Sequence, residues 1–167
     1  MGTRSNQLDE LRQKFLAVFP KTDPPPPERI TSHDCEECDG VRDDFRNLKW
    51  WSADSELIDD NFDDLPLFTP EAYHYFLPAF LLRALEKFEP DNLVLQFCLY
   101  DLSPTQTPAD DPWYSARLNQ FTREEISAIS NFLECIRDNE EFYDYHAAAE
   151  RGLDKFWHVS KDEGARQ

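Results

Sequence analysis

The sequence predicts an all-α fold, a single compact bundle of about six helices around a central apolar helix kinked at Pro78. Three observations carry this. Apolar residues recur at spacings of three and four along most long segments. Helix starts are written plainly, as in Thr69-Pro70-Glu71 and Thr122-Arg123-Glu124-Glu125. No hairpin is visible, and no second strand is available to pair with any strand-like run.

The elements follow in order. In NQLDELRQKFLAVF, Leu8, Leu11, Phe15, Val18 and Phe19 form one apolar stripe. Ser5 or Asn6 is placed to cap this helix, and Pro20 stops it. Residues 1–20 are therefore an N-terminal helix. The proline-rich run KTDPPPPER, 21–29, lacks backbone donors at its prolines and reads as a stiff, extended connector. A helical core over 30–160 follows within the same domain.

ITSHDCEECDGVRDDF opens that core. Thr31 or Ser32 is the expected cap, and Asp34, Glu36 and Glu37 load the first turn, where negative charge complements the helix dipole. Cys38, Val41, Phe45 and Leu48 form its inward stripe, and Trp50-Trp51 closes it. SADSELIDDNFDDLPLF, 52–68, reads as a long acidic loop with room for one short turn of structure. The helix from Pro70 to the residues before Pro90 is apolar almost all round, which places it at the centre. DNLVLQFCLYD, 91–101, is a continuous apolar run, assigned as helix for want of a partner strand. SPTQTPADDP is turn-rich. Thr122 and Glu125 form a capping box, and Ile126, Ile129, Phe132, Leu133 and Ile136 give the buried face behind it. EEFYDYHAAAERGLDKFW is the terminal helix, weakened at Gly152.

The 167 residues suit one domain, and 13 Phe, 6 Tyr and 4 Trp supply a core despite a mean hydropathy of -0.70. Net charge is -17, and residues 30–70 hold 12 acids against 3 bases. That field repels phosphates and anionic lipid, so neither nucleic acid nor a membrane is an expected partner. FLPAFLL is far too short to span a bilayer. Four cysteines without a visible secretory signal predict reduced thiols in a cytoplasm. With 4 glycines there is no glycine-rich phosphate loop, and no Ser–His–Asp order stands out.

One cluster carries chemistry. His33, Cys35 and Cys38 supply three zinc-type donors within six residues, although no second paired motif completes a four-ligand site. Cys-x-x-Cys at a helix start also fits thiol redox work. The acids Asp34, Glu36, Glu37 and Asp39 oppose thiolate formation there. Helical peroxide reductases that place a histidine three residues after the second cysteine are not matched, because position 41 is Val. Packing alone accounts for Cys38, which shares a stripe with Val41 and Phe45. His74 in YHYF reads as a core or edge histidine.

Three blocks, HDCEEC at 33–38, LFTPEAYHYFLPAFLL at 67–82 and FTREEISAISNFLECI at 121–136, resemble an uncharacterised bacterial family of small all-α proteins. The resemblance implies one helical domain and singles out His33, Cys35, Glu37 and Cys38. It implies no substrate.

The leading expectation is a non-enzymatic cytosolic module that binds a basic protein, as an immunity-like inhibitor does, without a cofactor. Its surface would comprise Glu36, Glu37, Asp43, Asp44, Asp59, Asp60, Asp63 and Asp64, with Trp50 and Trp51 as aromatic anchors. The alternative is a small zinc-binding or thiol-redox protein using His33, Cys35 and Cys38.

Overall fold

The computed structural model describes residues 2–107 and 109–158, with side chains from Ser5 onward. Pro108 and the last positions of the expected 30–160 core lie outside them. Among the described residues there are eight α-helices and no strand. They are α1 (Gly2–Val18), α2 (Glu36–Phe45), α3 (Ser55–Asp60), α4 (Pro70–Glu86), α5 (Leu93–Leu102), α6 (Pro112–Leu118), α7 (Arg123–Arg137) and α8 (His146–Lys155). Short 3-10 turns occupy Pro27–Arg29, Trp50–Ser52, Leu65–Leu67 and Glu140–Tyr145.

The central helix is α4. Thr69 caps it by accepting from Ala72 N at 3.1 Å, and Pro70 takes the first helical position, where a missing N–H costs nothing. The helix continues through Pro78, whose ring nitrogen cannot donate to the His74 carbonyl one turn back. Twelve of its residues are buried, because α1, α5, α6 and the 50–52 turn pack around it. Phe45, Phe68, Phe76 and Phe80 meet at its middle, with ring centroids 4.9–6.2 Å apart. The α5 assignment is borne out over Leu93–Leu102, capped by Asn92. The capping box of α7 is present in both directions, between Thr122 and Glu125.

Several local expectations are corrected. Two extra helices appear because α3 and α6 are only 6 and 7 residues long, too short to show periodicity. Asp54 and Asp111 cap them, accepting from Glu56 N and Tyr114 N. The 52–68 stretch therefore holds α3 and the Leu65–Leu67 turn, more structure than the one short turn expected. Ser5 and Asn6 do not cap α1, which is already helical from Gly2. Thr31 and Ser32 do not cap α2. Their backbone pairs instead with the segment before α4, Ser32 N donating to Leu67 O and Thr69 N to Ile30 O at 3.2 and 2.9 Å.

Gly152 is a close approach rather than a weak point. A Cβ there would stand 2.5 Å from Ser103 Oγ and 3.0 Å from Leu133 Cδ1, so glycine lets α8 lie against α5 and α7. The terminal segment also breaks, with a 3-10 turn before His146. Among the described residues no helix is long and apolar enough to cross a membrane.

Candidate functional site

The 30–64 region is built on α2 and the turns after it. The segment before α2 is pinned by the Thr31–Phe68 bridge and by Thr69 Oγ1, which donates to Arg29 O at 2.6 Å. The helix then begins one residue after Cys35. Cys35 is extended (φ -150, ψ 164), and its sulfur accepts from Cys38 N at 3.3 Å, the position a serine or aspartate oxygen usually holds. The helix ends at Phe45, and two residues on Asn47 adopts a left-handed φ of 58, a conformation asparagine tolerates better than most residues.

Cys35 is exposed, whereas Cys38 is fully buried on the inner stripe with Val41 and Phe45. Burial pushes the Cys38 thiol up, and the adjacent Cys35 sulfur adds to the rise. His33 is exposed, with Nδ1 3.4 Å from Ser32 Oγ. Among the described residues no three His, Cys, Asp or Glu side chains gather into a set able to share a metal ion. Arg42 organises this end instead. It donates to Thr31 Oγ1 at 2.7 Å and His33 O at 3.1 Å, and pairs with Asp34 and Asp39.

The ten expected partner-facing residues separate into groups. Trp50 is withdrawn from the surface. It is 1% exposed, and its Nε1 donates to Pro20 O at 3.0 Å, so it holds the connector rather than a partner. Trp51 is half-buried beneath Lys49 Nζ, which stands 5.7 Å from its ring centre. Asp59 grips Arg83 with both oxygens, at 2.8 and 2.6 Å, and that bond holds its carboxyl below the usual range. Asp43 pairs with Arg46 at 3.0 Å.

The rest behave differently. Glu36, Glu37, Asp44, Asp60 and Asp63 are exposed and Asp64 is half-buried. None has an ion pair among the described residues. Glu37 and Asp44 lie two turns apart on one side of α2. Asn61, buried at the end of α3, donates to Asp44 Oδ2 at 3.2 Å and brings the 61–64 turn beside that helix. Desolvation, reinforced by Asp63, Glu37 and Asp44, pushes the Asp64 carboxyl up to about 6.

Sequence reasoning missed two ionisable groupings inside the protein. Tyr73 Oη donates to Asp101 Oδ2 at 2.5 Å, and Arg117 Nη1 stands 3.6 Å from Asp101 Oδ1. Arg117 Nη2 also donates to the carbonyls of Leu65, Pro66 and Phe68 at 3.1, 2.9 and 3.3 Å. Burial raises the Asp101 carboxyl, while Arg117 and Tyr73 pull it back. The second grouping joins His74 Nε2 to Glu125 Oε2 at 2.9 Å, and the same oxygen accepts from Thr122 N at 2.7 Å. His74 is the satisfied histidine expected from its apolar surroundings. The capping box was the available signal for Glu125. Nothing local signalled the Asp101–Arg117 pair.

With this geometry in view, comparison with known proteins places the chain. The model of DUF6714, a family of unknown function, matches residues 28–161. The chain belongs to that family. The match takes in α2 to α8 and leaves α1 outside it, and the three blocks singled out in the sequence fall within it. No curated protein matches the chain, and no solved structure does. Family membership therefore supplies no reaction and no ligand.

Proposed function

We propose that this DUF6714 protein is a non-enzymatic binding module whose acidic α2–α3 face engages a basic protein. One observation carries the reading. Glu37, Asp44, Asp63 and Asp64 converge from a helix and a separate turn with no cation paired to them among the described residues. Like charges held together oppose folding, so they are a cost that a positively charged partner relieves. Clustered charge also accelerates encounter and aligns the partner, and salt weakens both effects. Glu36 and Asp60 extend the field, and the accessible part of Trp51 supplies aromatic contact. Asp43 and Asp59 serve it less, because arginines already hold them. The free thiols of Cys35, Cys38, Cys98 and Cys135 fit a cytoplasmic setting for this interaction.

Affinity capture from cell extract, with partner identification, tests the proposal. The wild type should retain a basic protein at low salt and lose it at high salt. The variant Glu37→Gln/Asp44→Asn/Asp63→Asn/Asp64→Asn should fail to retain it at either. Retention by the variant equal to wild type, or an acidic captured protein, would count against the reading.

A further inference from the structure

The acidic face leaves one pair of groups unexplained, Cys35 and Cys38. Packing accounts for Cys38 but not for an exposed thiol in the cap position of the same helix. Serine, threonine, aspartate and asparagine lead at that position, and each caps through an oxygen. Cysteine brings a weaker acceptor and a reactive group.

We propose that Cys35 and Cys38 are a redox-reactive dithiol that closes reversibly to an intramolecular disulfide, with a neutral hydroperoxide as oxidant. Capping geometry brings the two cysteines together. It places the Cys35 sulfur 3.3 Å from Cys38 N and against the Cys38 side chain. A disulfide needs its two Cβ atoms about 3.5–4.5 Å apart, and the contact between Cys35 and Cys38 leaves the approach to side-chain rotation and a local shift at the cap. Neither partner has to cross the core.

The two thiols differ in access, and this assigns their roles. Cys35 is open to solvent and is the attacking group, while Cys38, 0% exposed, meets no external reagent first. In the first step Cys35 sulfur attacks the peroxide, the O–O bond breaks, and Cys35 becomes a sulfenic acid as one water leaves. In the second, Cys38 sulfur attacks Cys35 sulfur, the S–O bond breaks, and a second water leaves with the disulfide formed. Two thiols and one hydrogen peroxide thus yield one disulfide and two waters.

Surrounding charge selects the oxidant. Asp34, Glu36, Glu37 and Asp39 flank the pair, so an anionic reagent such as glutathione disulfide is repelled, whereas neutral hydrogen peroxide is not. Cys98 and Cys135 are buried on α5 and α7, which keeps them out of the reaction.

The test exposes reduced full-length protein to hydrogen peroxide, alkylates what remains and reads intact mass and a peptide map. The expected result is loss of two hydrogen masses, with Cys35 and Cys38 in one bridge that dithiothreitol reopens. Cys38→Ser should stop at a Cys35 sulfenic acid trapped by dimedone, and Cys35→Ser should lose the reaction. Glutathione disulfide should oxidise the wild type more slowly at low salt than at high salt. The proposal is overturned if both thiols still alkylate after peroxide treatment, if Cys35 passes directly to sulfinic acid in the wild type, or if the bridge involves Cys98 or Cys135. The wild-type result stands alone should either variant fold poorly.

Discussion

Two sets of carboxylates in this chain live under opposite rules. Inside, Asp101 is held by Tyr73 and Arg117, and Glu125 by His74 and the Thr122 backbone. Asp101 has both oxygens engaged, Glu125 has two partners on Oε2, and each residue fixes a junction between elements. Arg117 ties the 65–68 turn to α6, and Glu125 starts α7 against α4. On the α2–α3 face, Glu37, Asp44, Asp63 and Asp64 crowd one another without a cation among the described residues. The core acids hold the fold together, whereas the surface acids strain it slightly. Even within the surface the contrast repeats, because Arg83 lowers Asp59 while burial, reinforced by acidic neighbours, raises Asp64.

The largest effect expected is in the core. Asp101→Ala leaves Arg117 as a buried charge without its carboxylate and should cost about 3–5 kcal/mol in urea unfolding. Glu125→Ala removes the His74 contact and half the capping box, for about 2 kcal/mol by the same measurement. Gly152→Ala forces Ser103 and Leu133 aside and should cost about 1–3 kcal/mol, unless Ser103 rotates freely.

The surface predictions are smaller and of opposite sign. NMR titration of the Asp64 carboxyl should give a midpoint of about 6. Because this lies above the unfolded value of about 3.9, the folded state binds the extra proton. That contribution to stability is full below about pH 4, fades as pH rises through about 6, and is absent at pH 7. Asp59 runs the other way, with stability present above the unfolded value and lost on acidification. Asp64→Asn should therefore stabilise the protein at pH 7, by about 1 kcal/mol or less once solvent screening is counted. A midpoint near the ordinary carboxylate value would contradict the burial and crowding assigned to Asp64.

Sequence and structure agree where a physical signal is local and repeated. α1, α4, α5 and α7 each carry enough turns for an apolar stripe or run to stand out, and Thr69-Pro70 and Thr122–Glu125 mark starts unambiguously. The acidic 30–64 region was visible as composition alone. What that composition hides is pairing. Arg83 reaches Asp59 across 24 residues and Arg117 reaches Leu65 across 52. Trp50, an expected surface anchor, is buried, and Pro20, 30 residues earlier, receives its N–H. Cys35 is the cysteine that sequence spacing could not place. It stands outside the helix, in the cap, where side chains no longer follow that spacing.

Thermal unfolding at pH 7 and low salt, comparing Glu37→Gln/Asp44→Asn/Asp63→Asn/Asp64→Asn with Asp101→Asn, tests the division most directly. The four surface substitutions should leave the midpoint unchanged or raise it, while the single core substitution lowers it. A fall in the midpoint of the surface variant comparable to that of Asp101→Asn would show that the acidic face is built for the fold rather than held ready for a partner.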